Sequence, residues 1–510
     1  MAYEVFGAIR IGSMEQELCI YQIGPSRGIK KIDRIAARIS LGHETLSTGH
    51  LSYQRADELC RTLSGFCEIM KSYKVSSYRA YATMALREAS NAPIILDQIK
   101  VRTGLSVSII SNSEQRYINY KALAIRDGEF NEMIRTGTMI ADSGYGSMQF
   151  SLFDKEALVS TENIPIGAVR LLNSLRDMRF TDEQLKEHII EIADVELGNY
   201  KKLYLKNREI DHIVCTGETT TKLFSKVGNH TPANGPLSAK EAVEICKKVH
   251  QMRMGDLDDL FAGGREYARL MLATALVYER LIERLGAERI WLPGTHFCDG
   301  VAAEYAEKQK VIRLKHNFED DIVAEARSMA KRYRCNTEHA DAVEKYTLLV
   351  YDATRKMNGL TKRDRLLLQI AAILHTCGKY ISIKNGTECS YQIIYNTEMI
   401  GLSHDERKLI AGTIRYHSRG FDYQGAERIG SPVRMAKMTA ILGLANALDR
   451  GHKGRLSDIR IRVDEAAGEL AIVTDYQGDL TLERLSLEHQ GAFFEELYGL
   501  HPVLHQRRVR

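Results

Sequence analysis

The stretch TGTMIADSGYGSMQFSLF, residues 136–153, predicts two strands joined by a glycine turn. Its apolar run ends at Asp142, and a Gly-x-Gly-Ser turn follows before strand-like alternation resumes. Backbone N–H groups in such a turn can grip a phosphate, and the carboxylate can hold a cation. Tyr145 and Gln149, however, stand where a catalytic loop would carry something smaller or more acidic. The stretch therefore has the layout of a phosphate loop with two unexpected residues.

The composition is that of a multi-domain globular protein. A chain of 510 residues predicts several domains of about 100–200 residues each. The net charge of +4 neither demands nor excludes a polyanionic ligand. The nine cysteines are scattered and lack a C-x-x-C pair, which argues against a zinc ribbon and a disulfide framework and fits a reducing compartment.

The sequence carries no targeting or membrane signal that we recognise. A signal peptide has a basic segment followed by an apolar one, and the stretch MAYEVFGAIRIGS lacks this pattern. Apolar runs stay well short of the roughly 18 residues that a membrane span needs. We therefore expect a cytoplasmic protein with neither a membrane nor nucleic acid as its partner.

The order of predicted elements divides the chain into four segments. Residues 1–125 alternate strands and helices, and residues 126–310 repeat this pattern, opening again on a glycine-turn hairpin. Two α/β units of this kind predict a duplicated architecture with a cleft between the halves. Residues 315–455 are predicted to be all-helical, and residues 456–510 to form a small α+β domain.

The two glycine turns, RIGSM at 10–14 and ADSGYGSMQ at 141–149, are candidates for lining this cleft. Each turn alone is explained by an ordinary hairpin. Together, one from each half, they fit a phosphate-binding cleft to which each half contributes a loop.

Further motifs have a functional and a purely structural interpretation. Arg87 in ATMALREASN is either a solvated surface residue or a bidentate phosphate ligand. In VCTGETTTKL, the helix that starts after Gly217 can bind an anion at its N-terminus, although Glu218 would repel one. In IISNSEQRYINY, a capping box between Ser111 and Glu114 is a sufficient explanation by itself.

Histidines of the predicted helical domain are candidate metal ligands. His339, His375 and Asp449 carry the donor types that zinc and similar metals prefer. The alternative is that they are structural or solvated histidines.

Taken in this order, the motifs resemble the exopolyphosphatase/guanosine pentaphosphate phosphohydrolase (Ppx/GppA) family over nearly the whole chain. YATMALREASN is similar to the family's A-T-x-A-x-R-x-A-x-N segment, and NIPIGAVRL to its P-x-G-x-x-R-L segment. EHADAV, AAILHTCGK and LANALDR resemble the HD-like domain attached to the family. The resemblance implies two actin/Hsp70-like (RNase H-like) α/β domains around a cleft, then an all-helical HD-like domain and a small β-containing tail. It also implies removal of terminal phosphate from polyphosphate or pppGpp, usually with Mg²⁺, and a homodimer.

The resemblance also implies roles for individual residues. The positions expected to bind phosphate are Arg10, Gly12, Ser13, Arg87, Gly144, Gly146, Ser147, Gly217 and Thr219. The catalytic positions fall on Glu114, Gln115 and Gln149, and Asp142 is the expected Mg²⁺ ligand. The remnant of an HD-like metal site falls on His339, His375 and Asp449.

Several positions depart from the family pattern. Arg10 stands where an Asp serves the metal, Gln115 replaces the Glu expected to activate water, and Gln149 replaces a second Glu. The other departures are Tyr145 and Glu218 in place of glycines, Thr376 in the H-D pair, and Cys389 at a later histidine position.

These departures point towards weakened hydrolysis. A glutamine cannot accept a proton, and a general base contributes about 10²–10⁴-fold to such reactions. Arg10 discourages Mg²⁺ but is itself a good phosphate partner. We expect a Ppx/GppA-type protein that still binds polyphosphate or guanosine polyphosphate and hydrolyses it weakly or not at all. The alternatives are an active exopolyphosphatase that uses Mg²⁺ and Glu114 or another acid, and a non-catalytic interaction protein.

Overall fold

The computed structural model describes residues 3–26, 28–125, 127–176, 178 and 180–507. The chain divides into two units, Met1–Asn317 and Phe318–Arg510. Each unit is described below by itself.

The first half of the first unit is built on a mixed sheet. Its strands are β1 Glu4–Ile11, β2 Glu15–Gly24, β3 Gly28–Arg38, β4 Ser77–Ala82 and β5 Ser108–Ile109. They lie in the order β3-β2-β1-β4-β5, with β1 to β3 antiparallel and β4 and β5 parallel to β1. The helices are α1 Leu41–Thr48, α2 Tyr53–Ser72, α3 Met84–Glu88, α4 Ala92–Thr103, α5 Asn112–Ala124 and α6 Asp127–Met133.

The second half repeats this arrangement. Its strands are β6 Thr138–Ser143, β7 Met148–Asp154, β8 Ala157–Ile164, β9 His212–Thr216, β10 Leu237–Ser238 and β11 Arg289–Trp291, in the order β10-β11-β9-β6-β7-β8. The antiparallel run β6-β7-β8 matches β1-β2-β3, and β9 is parallel to β6 as β4 is to β1. The helices are α7 Ala168–Ser174, α8 Asp182–Tyr200, α9 Glu218–Gly228, α10 Ala239–Gln251, α11 Met254–Phe261, α12 Gly264–Leu285 and α13 Phe297–Lys308.

Helix α13 lies within the predicted segment 126–310 but packs on the sheet of segment 1–125. Phe297 and Cys298 share a hydrophobic cluster with Phe6 and Ala8 of β1. A Cβ atom at Gly300 would overlap the backbone carbonyl of Ile118 in α5, so only glycine allows these two helices to approach so closely. The chain therefore returns to the first sheet at the end of the unit.

The second unit is mainly helical. Its helices are α14 Phe318–Arg332, α15 Thr337–Ala353, α16 Lys362–Leu374, α17 Gly386–Asn396, α18 His404–Tyr416, α19 Tyr423–Ile429, α20 Pro432–Ala447 and α21 Thr481–Tyr498. Its strands are β12 Arg460–Asp464, β13 Glu469–Thr474 and β14 His501–Gln506, in the order β12-β13-β14. Helix α21 is the crossover that lets β13 and β14 run parallel.

The observed order of elements confirms the predicted architecture of two α/β halves, a helical part and a small β-containing tail. Among the described residues, no helix has both the length and the apolar content needed to cross a membrane.

Candidate functional site

Some of the predicted site residues converge on a small cavity in the first unit, here called the cleft cavity. Its walls come from β1, α5, β6, the turn between β9 and α9, and the start of α13. The lining residues are Arg10, Gln115, Asn119, Asp142, Ser143, Gly144, Thr216, Gly217, Glu218, Thr295, His296 and Phe297. The cavity volume is about 30 Å³, enough for one or two water molecules. The predicted positions outside these walls are Gly12, Ser13, Arg87, Glu114, Gly146, Ser147, Gln149 and Thr219.

The two glycine turns each close on themselves. The N–H of Gly12 donates to the carbonyl of Glu15 at 3.1 Å and to Gln16 Oε1 at 3.0 Å. In the second turn, the N–H of Gly144 donates to the carbonyl of Ser147 at 3.0 Å. A Cβ atom at Gly12 would lie 2.6 Å from the Glu15 carbonyl oxygen, so this turn requires glycine. An ordinary hairpin accounts for both turns, and these amide donors are engaged within the protein.

Neighbouring helices support the two turns from behind. The carbonyl of Ser13 accepts the N–H of Gly42 in α1 at 2.7 Å. The carbonyl of Gly146 accepts Arg170 Nε of α7 at 2.7 Å. Thr219 is buried in the first turn of α9. These predicted phosphate positions are therefore packed parts of the scaffold.

Asp142 is already hydrogen-bonded at both carboxylate oxygens. Asn119 Nδ2 donates to Oδ2 at 2.7 Å, and Thr216 Oγ1 donates to Oδ1 at 2.8 Å. Arg10 shares the same cavity, where its positive charge repels a divalent cation. Mg²⁺ prefers several oxygen ligands in near-octahedral geometry. The residues present therefore do not fit a protein-bound magnesium ion well.

Arg10 is a charged group inside the cleft cavity. Burial lowers its pKa, but the nearby Glu17, Tyr145 and Glu218 outweigh burial and hold it above the usual value. The Phe297 ring lies 5.9 Å from the guanidinium carbon. The Arg10 Nε atom is buried and has no hydrogen-bond partner among the described residues. This side chain offers a donor to an anionic ligand.

Acids and bases behind the cavity form an ion-pair cluster that joins the two halves. In β2, Glu15 and Glu17 are bound by Arg34 at 2.8 and 2.5 Å. Lys222 of α9 contacts Glu15 at 3.4 Å and also pairs with Glu218. We call Glu15, Glu218 and Lys222 the latch, because it connects β2 of the first half with α9 of the second.

Within the latch the two carboxyl groups titrate very differently. Burial and the adjacent Glu218 raise the pKa of Glu15 to about 7. Burial would raise the pKa of Glu218 as well, but the hydrogen bond with Glu15 and the charge of Lys222 lower it to about 2. Near neutral pH the pair therefore holds up to one proton, mainly on Glu15.

Arg87 and Gln149 meet at Asn112 instead of at the cleft cavity. Arg87 Nη1 donates to the carbonyl of Ile110 at 2.8 Å, and Nη2 donates to Asn112 Oδ1 at 2.5 Å. Gln149 Nε2 donates to the same Asn112 oxygen at 3.3 Å. The structure thus gives Arg87 a bridging role at the start of α5, and its phosphate role stays a prediction.

Glu114 and Gln115 face different surroundings although they are neighbours in α5. Glu114 closes the predicted capping box, where its Oε2 accepts the N–H of Ser111 at 2.9 Å and the Ser111 hydroxyl at 2.8 Å. Gln115 is buried and lines the cleft cavity. The wall position expected to activate water is therefore an amide.

The histidines of the second unit form a buried cluster. His339 Nδ1 lies 2.8 Å from Asp449 Oδ2, and His339 Nε2 lies 3.1 Å from His375 Nε2. His452 stacks on His339 with a centroid separation of 3.6 Å, and the rings of His417 and His375 lie 5.4 Å apart. His417 and His452 belong to this cluster although the sequence analysis did not include them.

The hydrogen bonds fix the tautomers of the two facing histidines. His375 Nδ1 lies 2.7 Å from the carbonyl of Ala372, which can only accept, so this nitrogen carries the proton. His339 Nδ1 likewise donates to the Asp449 carboxylate. Two neutral rings held in this way direct both Nε2 lone pairs at each other. A proton or a metal ion between them would remove that conflict.

Several site residues were missed by the sequence analysis. Asn119 and Thr216 lie within the quoted stretches IISNSEQRYINY and VCTGETTTKL, yet no role was predicted for them or for His296, and all three line the cleft cavity. The partners of Glu15 and Glu17 could have been expected, because acids that alternate along an otherwise apolar strand are buried and need an opposite charge nearby. The partner Lys222 could be anticipated only in part, from its i, i+4 spacing to Glu218.

Comparison with known sequences identifies relatives along most of the chain. The profile of the Ppx/GppA phosphatase family matches residues 19–308, and that of domain III of the Ppx/GppA phosphatases matches residues 323–490. Exopolyphosphatase 1 of Mycobacterium leprae is 24% identical over 292 residues, which are 56% of this chain and 84% of that protein. The guanosine-5'-triphosphate,3'-diphosphate pyrophosphatase of Aeromonas hydrophila is 22% identical over 485 residues, 92% of each chain.

Solved structures share the fold of the α/β part. The exopolyphosphatase from Cytophaga hutchinsonii aligns with a TM-score of 0.53 at 17% identity, covering 61% of this chain and all of that one. The Ppx/GppA family member from Aquifex aeolicus aligns with a TM-score of 0.50 at 22% identity, covering 62% of this chain and all of that one. The predicted actin-like double α/β fold is confirmed. With both family profiles matched in order along the sequence, the chain belongs to the Ppx/GppA phosphatase family.

Proposed function

We propose that this protein binds the phosphate chain of polyphosphate or of a guanosine polyphosphate in the cleft cavity, and that hydrolysis is weak or lost. The relatives named above are an exopolyphosphatase and a guanosine polyphosphate pyrophosphatase, so phosphoanhydrides are the ligand class to expect. The observation that carries the proposal is Arg10, a charged wall residue whose Nε lacks a partner among the described residues. A guanidinium forms strong, charge-assisted hydrogen bonds to phosphate oxygens.

Binding requires the cleft cavity to widen, because its volume of about 30 Å³ is too small for a phosphate group. The latch is the contact that would have to yield, since it ties β2 of the first half to α9 of the second next to the cavity wall at Glu218. Once Glu218 moves aside, the N-terminal end of α9 favours an anion. Arg10 would then hold the terminal phosphate.

Weak hydrolysis follows from the groups around the reacting position. Gln115 cannot accept a proton from water, and Glu114 is engaged in the capping box. Asp142 accepts hydrogen bonds at both oxygens. A missing general base alone costs about 10²–10⁴-fold in rate.

Calorimetric titration of the full chain with inorganic tripolyphosphate tests the binding step. We expect heat of binding for the wild-type protein and an affinity lower by about tenfold or more for Arg10→Gln, because a hydrogen bond to a charged group is lost. Arg253→Gln is the control, since Arg253 is an exposed residue that pairs with Asp256. Equal affinities for wild type and Arg10→Gln would remove the cleft cavity as the binding site, and no heat at all would favour the non-catalytic interaction protein.

A phosphate-release assay with polyphosphate and pppGpp, with and without Mg²⁺, tests the hydrolytic step. Release close to background is expected for the wild-type protein. Rapid release would replace the proposal with the active exopolyphosphatase. In that case Glu218 is the acid to examine first, because it lines the same cavity as Gln115. Loss of turnover in Glu218→Gln but not in Glu114→Gln would assign the base.

A second function is favoured by the histidine cluster, namely binding of a transition metal. Two nitrogen ligands at 2.0–2.1 Å from a tetrahedral Zn²⁺ lie about 3.3 Å apart, close to the 3.1 Å between His339 Nε2 and His375 Nε2. Asp449 and the Ala372 carbonyl hold the rings as outer partners of metal-bound histidines do. The two nitrogens would thus supply two of the three or four protein ligands that a zinc site usually has.

Metal analysis of the purified full chain after zinc loading and desalting tests this second function. About one equivalent is expected for the wild-type protein, and a clear loss for His375→Gln. His501→Gln is the control, since His501 is an exposed histidine on β14. A metal content that is negligible in the wild-type protein would rule out this second function.

A further inference from the structure

A second and larger cavity lies in the first unit, between α1, α7, α8 and α12. Its volume is about 290 Å³, near the lower end of the range for small-molecule sites. Buried apolar side chains form its floor, among them Val169, Leu185 and Leu270. We call it the outer pocket.

Arginines dominate the charged part of the outer pocket. Arg265 and Arg269 are one turn apart on α12 and therefore share a face, and Arg176 stands beyond the end of α7. Among the lining residues that the structure describes, Glu266 is the one acid and three are arginines, so their balance is positive. An apolar floor beneath several guanidinium groups matches a ligand with an apolar body and a negative charge.

The side chain of Arg269 gives a second, independent reason to expect a ligand in the outer pocket. Its Nε atom is buried, and within the described part of the chain it has no hydrogen-bond partner. A buried donor that lacks a partner costs free energy that a suitable acceptor would recover. Arg269 is thus a donor left open at the wall of an apolar pocket.

The outer pocket adjoins the two glycine turns. His43, in its wall, follows Gly42, whose N–H donates to the carbonyl of Ser13 at 2.7 Å. Val169, in its floor, donates its N–H to the carbonyl of Tyr145 at 2.9 Å. Two of the helices that wall the pocket, α1 and α7, therefore also support the predicted phosphate loops.

We propose that the outer pocket binds an aromatic anion, with the ring system on the apolar floor and the negative group on Arg265 and Arg269. Guanidinium groups suit such a ligand because they stack on aromatic faces and pair with oxyanions. The anion has two sources: a nucleotide that lays its base on the apolar floor and places one of its own phosphates on the arginines, or a separate aromatic acid. The first source rests on the proposed function, and the second does not.

Fluorescence titration of the full chain with 8-anilinonaphthalene-1-sulfonate, an aromatic sulfonate, tests the pocket itself. We expect saturable binding that is about tenfold weaker in Arg269→Gln and unchanged in the surface control Arg253→Gln. Arg265→Gln is the second variant, because this exposed residue can be replaced without disturbing the core. Equal affinity in wild type, Arg265→Gln and Arg269→Gln would overturn the proposal.

Calorimetry with GTP and with inorganic tripolyphosphate distinguishes the two sources. If a nucleotide occupies the pocket, GTP binds at least tenfold more tightly than tripolyphosphate, and Arg269→Gln abolishes the difference while leaving tripolyphosphate binding unchanged. If the two ligands bind equally while the sulfonate still depends on Arg269, the occupant is a separate aromatic anion. If the proposed function fails but the outer pocket is real, tripolyphosphate will not bind while the sulfonate still does.

Discussion

Gln115 occupies the wall of the cleft cavity at the position where the family resemblance expects a base. Its side chain is buried, and it shares the wall with Asp142 and Arg10. The amide can orient a water molecule by hydrogen bonding but cannot take its proton. The site thus retains a polar group there and lacks the proton acceptor.

Gln115→Glu should therefore increase phosphate release from polyphosphate. We expect a gain of about tenfold, below the 10²–10⁴-fold typical of a general base, because Arg10 and the hydrogen-bonded Asp142 are unchanged. A phosphate-release assay measures the gain, and Gln115→Ala serves as the control without a carboxylate. Equal release by the two variants would mean that the missing base is not what limits the reaction.

At the scale of single residues, the motifs anticipated only part of the set that lines the cleft cavity, and the roles assigned to those residues stay predictions. Arg10, Gln115, Asp142, Gly144 and Gly217 all line the cleft cavity. Local patterns such as the capping box at Ser111 were predictable because both partners lie within one turn. Partners distant in sequence, such as Arg87 and Ile110 or Asn119 and Asp142, depend on tertiary packing that one sequence does not encode visibly.

Among the elements, β2 and α9 form the contact on which access to the cleft cavity depends. Glu218 presents a negative charge at the N-terminal end of α9, where a phosphate would otherwise be favoured. It therefore competes with the ligand for Lys222 and Arg10.

Glu218→Gln should raise the affinity for tripolyphosphate by about tenfold, which corresponds to about 1.4 kcal/mol. The reason is that the variant removes a buried negative charge from the wall while conserving its shape. Calorimetry measures the change, and Glu191→Gln on the exposed face of α8 is the control. An affinity that falls would show that Glu218 helps to hold the ligand or its counterion.

The latch should also make stability depend on pH. Glu15 has an ordinary pKa of 4.5 when unfolded and about 7 when folded, so the folded protein keeps a proton that the unfolded chain has released. The stabilisation that protonated Glu15 gives to the folded protein is complete below pH 4.5 and is lost as the pH rises through 7. Between roughly pH 5 and pH 8, we expect the Tm of the wild-type protein to fall more steeply with rising pH than the Tm of Glu15→Gln. The corresponding change in the free energy of unfolding differs between the two proteins by at most about 3 kcal/mol. Plots of Tm against pH that run parallel for the two proteins would contradict the raised pKa of Glu15.

For the first unit as a whole, the backbone contact between α13 and α5 fastens the end of the unit to its first sheet. Gly300→Ala should destabilise the protein strongly, by about 3 kcal/mol or more, because the new methyl group meets the Ile118 carbonyl. Thermal or denaturant unfolding measures the loss. Gly198→Ala is the matched control, since Gly198 lies in α8 with open space around it, and it should stabilise by up to about 1 kcal/mol. Similar behaviour of the two variants would show that α13 can shift at little cost.

The architecture was more predictable than the path of the chain through it. Repeated strand–turn–strand openings indicated the duplicated halves, and sustained helical periodicity indicated the second unit. The return of α13 to the first sheet was not predicted, because its apolar residues would suit either half. The clustering of His417 and His452 with His339 and His375 was also missed, because spacing along the chain says little about which helices meet.

The ion pairs behind the cleft cavity have a consequence for how fast a ligand can arrive. The cations Arg10, Arg34 and Lys222 face the anions Glu17 and Glu218, and Glu15 adds a third negative charge as the pH rises through about 7, so above neutral pH their fields largely cancel beyond the cavity. A polyanion would then approach without electrostatic steering, at about 10⁵–10⁶ M⁻¹s⁻¹ and with little dependence on ionic strength. Selectivity among phosphate chains would accordingly reside in how slowly each one leaves.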